Sequence, residues 1–181
     1  MIFTPLPLAG SYTIALEPYE DNRGWFARYY DEKEFIQIGH TTPWVQMNHS
    51  VTSDKGTLRG MHYQLPPYEE VKLIRCIAGS VYDVIIDLRA GSPTLFRWYG
   101  ITLSAEKKNM LYIPKGFAHG FQTLENNSEL LYHHTAYYTP AAETGILYND
   151  PVININWPLP VTQLSERDSR HPFVTDSFKG L

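Results

Sequence analysis

From Trp44 onward, apolar and polar positions change over in short runs. WVQMNHSVT, GTLRGMHYQ, KLIRC, GSVYDVIIDLR, TLFRWYGITLS, NMLYIPKGFAHGFQTL and SELLYHHTAYY follow one another. Between them fall turn residues at Asp54-Lys55-Gly56, Pro66-Pro67, Ala78-Gly79, Gly91-Ser92-Pro93 and Asn126-Asn127. No long 3.6-residue period competes, so the pattern predicts many short strands in an all-β sandwich or barrel. Upstream, Ser11 to Glu17 alternates loosely as a first strand, and Tyr19 to Gly24 is a turn cluster. A short helix is expected over Asp31 to Ile38, with Asp31 as N-cap, Glu34 at the capping-box position and Gly39 as the stop. With no repeat, linker or low-complexity segment, residues 1–181 form one expected domain.

Gly56 to Cys76 places Arg59, His62 and Lys72 on apolar, strand-like sequence. Such side chains are costly to bury unless a pocket uses them. Strict alternation puts Leu58, Gly60, His62 and Gln64 on one face and Arg59, Met61 and Tyr63 on the other, unless a bulge at Gly60 brings Arg59 round to join His62. After Pro66-Pro67, Lys72, Ile74 and Cys76 share one face of the next strand, with Val71, Leu73 and Arg75 on the other.

Composition narrows the function classes. A net charge of −4 with no basic cluster argues against a nucleic-acid partner. The single cysteine, Cys76, excludes an internal disulfide and a cysteine-rich zinc site. MIFTPLPLAGSYTI has no basic leader and a proline-broken apolar run, so neither a signal peptide nor a membrane span is expected, and the cytoplasm is the default location. Aromatic residues at 14%, 13 of them Tyr, suit strands and a ligand pocket.

Pro114 to His119, followed by Gly120 and Phe121, resembles the PxGxxH element of the cupin jelly roll, a double-stranded β-helix with a few short helices. A metal-binding cupin carries His-x-His in its first motif, where this chain has His62-Tyr63-Gln64. His62 and His119 can face each other, but no third ligand stands at an expected spacing and Lys72 would repel a cation, so no metal is expected. His133 and His134 point to opposite faces and cannot chelate together. A barrel lined by histidine, lysine, arginine and tyrosine suits proton chemistry beside a carbonyl. A neutral histidine removes the α-proton, Lys72 or Arg59 stabilises the enolate, and Tyr132 or Tyr138 returns a proton to the other face. That sequence inverts the carbon.

From about Tyr12 to Pro172 the chain resembles the dTDP-4-dehydrorhamnose 3,5-epimerase family of cupin-fold nucleotide-sugar epimerases. The markers are DNRGWF (Asp21 to Phe26), QMNHS (Gln46 to Ser50), GTLRGMHYQ, KLIRC, YDVIIDLRAGSPT, IPKGFAHGF, LYHHTAYYTP, NDP (Asn149 to Pro151) and LSERD (Leu164 to Asp168). The resemblance implies that His62 is the general base, Asp168 the carboxylate orienting it, Tyr132 the general acid and Lys72 the group stabilising the enolate. It places Arg59 and His119 near the sugar and diphosphate, Gln46 and Asn48 on the nucleotide, and Tyr138 in the sugar pocket. Arg23 and Phe26 would reach across a homodimer interface, on an N-terminal arm of about residues 1–45 that packs on the partner, while a tail of about 150–181 covers the barrel. No cofactor is implied. The expected substrate is dTDP-4-keto-6-deoxyglucose.

Two positions depart from the family pattern. Arg28 stands where glutamate is usual near the nucleotide base, and Glu70 stands where glutamine is usual. Arg28 either alters nucleotide preference, among dTDP, CDP and GDP, or re-pairs with Glu69 or Glu70. Single-position epimerisation, a metal-dependent cupin oxygenase or isomerase, and a sugar-nucleotide binder without catalysis are the rival expectations.

Overall fold

The short alternating runs close into two facing sheets. The structure, a computed structural model, describes residues 1–181. In chain order the strands are β1 (Ile2–Pro5), β2 (Tyr12–Ala15), β3 (Tyr19–Asp21), β4 (Gly24–Phe26), β5 (Gln46–Thr52), β6 (Leu58–Gln64) and β7 (Lys72–Ala78). They continue with β8 (Ser80–Asp87), β9 (Trp98–Ser104), β10 (Asn109–Ile113), β11 (Phe117–Thr123), β12 (Ser128–His134) and β13 (Glu143–Gly145). One sheet has the order β1-β2-β10-β7-β12-β5 and the other β13-β6-β11-β8-β9, while β3 and β4 form a separate hairpin. This is the expected all-β jelly roll.

The core follows from side-chain parity. Ile74, Cys76, Leu111 and Leu130 of the first sheet meet Val81, Ile85, Leu103 and Phe121 of the second. Burial pushes the Cys76 thiol up to about 11, so it packs as a small apolar group. The opposite parity clothes the outer faces. Val71, Leu73 and Met110 pack under Phe35, Tyr30 and Trp44, and Val84, Ile86 and Ala118 pack under Ile153, Trp157 and Phe178. β7 therefore alternates as the sequence predicts. Burial on both faces, worth about 1.5–3 kcal/mol per large aliphatic side chain, explains why β8 reads as a nearly continuous apolar run.

The arm of residues 1–45, expected on a partner, is mostly folded onto this chain. β1 and β2 extend the six-stranded sheet, and Tyr29, Tyr30, Ile38 and Trp44 cover its outer face, because Ile14, Leu16, Phe35 and Leu73 offer an apolar surface there. The β3–β4 hairpin is more exposed, with Tyr19 81% and Phe26 72% exposed, and touches the sheet through Trp25, under Arg75 and Lys108. The helix is also shorter than expected. α1 (Glu32–Phe35) passes into a 3₁₀ turn at Ile36–Ile38, closed by Gly39 at φ 81°. Asp31 caps it by accepting from the Lys33 N–H, while Glu34 turns to the Met1 amine, 3.0 Å away, instead of completing a capping box. No helix is long and apolar enough to cross a membrane.

β6 departs from strict alternation where the sequence raised the possibility. His62 pairs with His119 and Arg59 with Phe121, with a shift of register between His119 and Phe121. Arg59 and His62, three residues apart, consequently line one pocket while Met61 goes to the outer core. The shift needs backbone contact between glycines. Gly60 has φ 142°, and a Cβ there would meet the Gly120 Cα at 2.5 Å. Gly60→Ala is expected to cost about 2 kcal/mol or more, by strained backbone and overlap together, read as a lower midpoint in chemical denaturation.

Candidate active site

A cavity of about 470 Å3 opens between the two sheets. From the five-stranded sheet come Arg59, His62 and Gln64 on β6 and His119 on β11, and from the six-stranded sheet Lys72 on β7 and Tyr132 and His134 on β12. Gln46 and Asn48 on β5, with Tyr138 beyond β12, complete the wall. Lys72, His119 and Tyr132 stand two residues from Ile74, Phe121 and Leu130, at a parity that otherwise feeds the apolar core.

His62 Nε2 lies 2.8 Å from Asp168 Oδ1. Asp168 sits in a 3₁₀ turn (Asp168–Arg170), is buried behind the ring, and also accepts from the Gly60 N–H at 3.2 Å. Burial pushes its carboxyl up, but the His62 bond and the Gly60 and Ser165 hydrogen bonds hold it well below the usual carboxylate range. Asp168 is thus a fixed anion that accepts a hydrogen bond from the His62 Nε2–H and leaves Nδ1, which has no protein partner, as the basic atom.

The opposite wall supplies an acid and a cation. Tyr132 Oη is 3.2 Å from Ser50 Oγ, and burial drives its phenol far above the usual range, with Asp83 adding to the rise and Ser50 and Arg59 opposing it. It stays protonated at neutral pH. Lys72 Nζ lies 3.2 Å from Glu70 Oε1. His119 is bound to Asp83 at 2.9 Å, and burial pushes Asp83 up against the influence of His119 and Lys72. His119 and Tyr132 meet edge to face, ring centroids 6.3 Å apart.

Several side chains escaped the sequence reading. Asp83 had a signal, since it shares the inward parity of Val81 and Ile85 on an apolar strand. Arg167, next to Asp168, places Nη2 3.2 Å from His62 Nε2 and Nε 3.3 Å from Asp168 Oδ1, and pairs with Glu143 at 2.8 Å. Glu143 in turn accepts from the Tyr138 hydroxyl at 2.7 Å. Arg167 flanks a 3₁₀ turn and Glu143 lies on a strand of three residues, so no period gave warning of these contacts.

Three residues of the arm lie away from this pocket. Arg23 pairs with Asp21 in the exposed hairpin, Phe26 is exposed beside it, and Arg28 pairs with Asp31 at 3.2 Å rather than with Glu69 or Glu70. Asp31 is the carboxylate nearest along the same short segment, three residues on. As for metals, Gln64 uses its amide on backbone, donating to the Tyr68 and Tyr137 carbonyls and accepting from the Thr139 N–H. His119 gains no third ligand with His62, but a different trio, His62, Asp168 and His171, offers atoms within 4.8 Å of one another. The Arg167 guanidinium beside two of them opposes a cation there.

Residues 5–176 match the family model for dTDP-4-dehydrorhamnose 3,5-epimerase. The chain belongs to this family. It is 46% identical over 158 residues to the dTDP-4-dehydrorhamnose 3,5-epimerase of Shigella flexneri, covering 86% of this chain and 87% of that one. Among solved structures, the dTDP-4-dehydrorhamnose 3,5-epimerase of Bacillus anthracis with TDP and PPi bound superposes with a TM-score of 0.93 at 36% identity, covering 96% of this chain and 99% of that one. The dTDP-6-deoxy-D-glucose-3,5-epimerase of Legionella pneumophila, in complex with dTDP-4-keto-L-rhamnose, does so at 0.90 and 39% identity, covering 95% and 92%. Family membership and the jelly roll expected from the sequence therefore stand together.

The His62 geometry makes a spectroscopic prediction. In the neutral ring, long-range nitrogen–proton correlation spectra should show Nε2 protonated and Nδ1 bare. A proton on Nδ1 would contradict the assigned basic atom.

Proposed function

We propose that the chain is an epimerase inverting C3 and C5 of dTDP-4-keto-6-deoxyglucose to give dTDP-4-keto-L-rhamnose. The observation that carries this reading is the division of labour between the sheets. The histidine backed by a buried carboxylate comes from one wall, and the phenol and ammonium come from the other.

A 4-keto sugar held between those walls has acidic hydrogens at C3 and C5. His62 Nδ1 takes one of them from the face it confronts, and the electron pair moves onto the C4 oxygen. Lys72, a compact positive charge in a poorly hydrated site, stabilises that enolate oxygen. Tyr132 then delivers its hydroxyl proton to the opposite face of the same carbon, which inverts it. The imidazolium gives its proton to water and the phenolate recovers one, so the enzyme returns to its starting state with no net proton change. Asp168 fixes the ring and favours its charged form in the transition state. After a ring flip the same set serves the second carbon.

Arg59 and His119 take positions at the sugar and diphosphate, Gln46 and Asn48 at the nucleotide, and Tyr138 at the sugar pocket. In the same reading the chain is a cytoplasmic homodimer. Its exposed β3–β4 hairpin brings Arg23 and Phe26, with Arg28 just beyond, to the neighbouring pocket, and exposed Tyr19 and Phe26 suit burial by a second copy.

Proton NMR of dTDP-4-keto-6-deoxyglucose with the enzyme in heavy water tests the proposal. The C3 and C5 hydrogen signals should both disappear, and loss at one carbon only would make the chain a single-position epimerase. His62→Ala should lower turnover by at least ~100-fold, the lower end of what a positioned base contributes, and full turnover in that variant would remove His62 from the mechanism.

A further inference from the structure

Glu70 lies two residues before Lys72, lines the same cavity, and takes no part in the proton transfers proposed above. Its side chain is 10% exposed, as is that of Lys72. Oε1 is 3.2 Å from Lys72 Nζ, and Oε2 is 2.7 Å from His134 Nδ1. Burial pushes the Glu70 carboxyl up, yet the His134 hydrogen bond and the charge of Lys72 outweigh it, so the group remains an anion. No other carboxylate is within ion-pair distance of Lys72.

The hydrogen of His134 is placed by a chain that runs in one direction. The Tyr138 backbone N–H can only donate, and it donates to Gln46 Oε1 at 3.0 Å. Gln46 Nε2 then donates to Asn48 Oδ1 at 3.2 Å, and Asn48 Nδ2 donates to His134 Nε2 at 3.3 Å. With Nε2 accepting, the ring proton sits on Nδ1 and is donated to Glu70. The ring is held further by stacking on Tyr132, with centroids 6.1 Å apart and an interplanar angle of 13°.

Two donors therefore converge on position 70, the Lys72 ammonium and the His134 Nδ1–H. A carboxylate offers one oxygen to each. An amide offers one oxygen, and its NH2 faces the other donor. We propose that Glu70 is the positioning residue of Lys72, holding its ammonium toward the enolate oxygen, and that the fixed polarity of His134 is what makes a carboxylate necessary there. This rests on the assignment of Lys72 as the enolate-stabilising group.

Steady-state kinetics on dTDP-4-keto-6-deoxyglucose with the full chain test it, using Glu70→Gln, His134→Ala, the double variant and Lys72→Met. Thermal melting and the Kd for dTDP serve as measures of folding and nucleotide binding. Glu70→Gln should lower kcat by ~10-fold or more with KM within about twofold, because a misplaced ammonium affects the transition state more than substrate binding. Adding His134→Ala to Glu70→Gln should recover at least ~3-fold of that loss, because the amide oxygen is then free to accept from Lys72.

A recovered rate is a readout that a merely structural role would not give. If Glu70→Gln keeps kcat within about twofold while Lys72→Met collapses, Glu70 does not position Lys72 and the proposal is overturned alone. If Lys72→Met keeps its rate, the assignment of Lys72 fails and takes this proposal with it. A double variant no faster than Glu70→Gln overturns the part given to His134. A rise in KM matched by weaker dTDP binding would make Glu70 a nucleotide contact instead.

Discussion

The bond between His62 Nε2 and Asp168 Oδ1 ties together residues 106 apart in the chain and sets the rest of the site. It fixes which ring nitrogen carries the proton, and so which atom serves as the base in the proposed epimerisation. It also requires the tail to return to the barrel. Asp168 is held there by the Gly60 N–H and by the Ser165 hydroxyl, which accepts from the Asp168 N–H. Asp150, bonded to the backbone of Val152, Ile153 and Val174, and the apolar contacts of Ile153, Trp157 and Phe178 anchor the same segment on the outer face of the sheet. The chemistry thus depends on packing well away from the cavity.

Two walls give the site its direction. A pocket built from one sheet would offer the proposed base and acid to the same side of a ligand, whereas facing sheets carry His62 and Tyr132 on opposite walls. The electrostatics follow the same division. On one side His62 is backed by a carboxylate held strongly acidic, and on the other Tyr132 is kept protonated by burial. Perturbations in opposite functional senses across one cavity are how a single fold performs acid and base steps at one pH. The cationic groups Arg59, Lys72 and Arg167 lie among Glu70, Glu143 and the buried Asp83. The cavity therefore holds both signs of charge side by side, in a chain of net charge −4.

What the sequence revealed was set by whether information was local. β7 was legible because each side chain obeys a period of two, and the breakers at Asp54 to Gly56 and Ala78-Gly79 mark turns because their residues dictate it. β6 was legible only as an alternative, since the slip opposite Gly120 is a property of two strands in contact and not of either alone. β1 went unread because Pro5 and Pro7 obscure it, although an edge position tolerates proline. The division of the arm between its own sheet and an exposed hairpin depends on an apolar surface assembled from strands far along the chain. Asp168 came through family resemblance, as no spacing argument joins it to His62. Arg167 and His171 reached the site beside a 3₁₀ turn and Glu143 on the three-residue strand β13, too short for a period to mark its residues.

The central claim is that proton removal and proton return occur on different walls, and it is tested most directly by Tyr132→Phe in heavy water. Solvent exchange of the sugar α-hydrogen and inversion of the carbon would be followed in the same sample. The account predicts that inversion slows much more than exchange, because His62 still removes and returns a proton on its own face. Equal losses in both would contradict it, leaving Tyr132 as a residue that only positions the sugar.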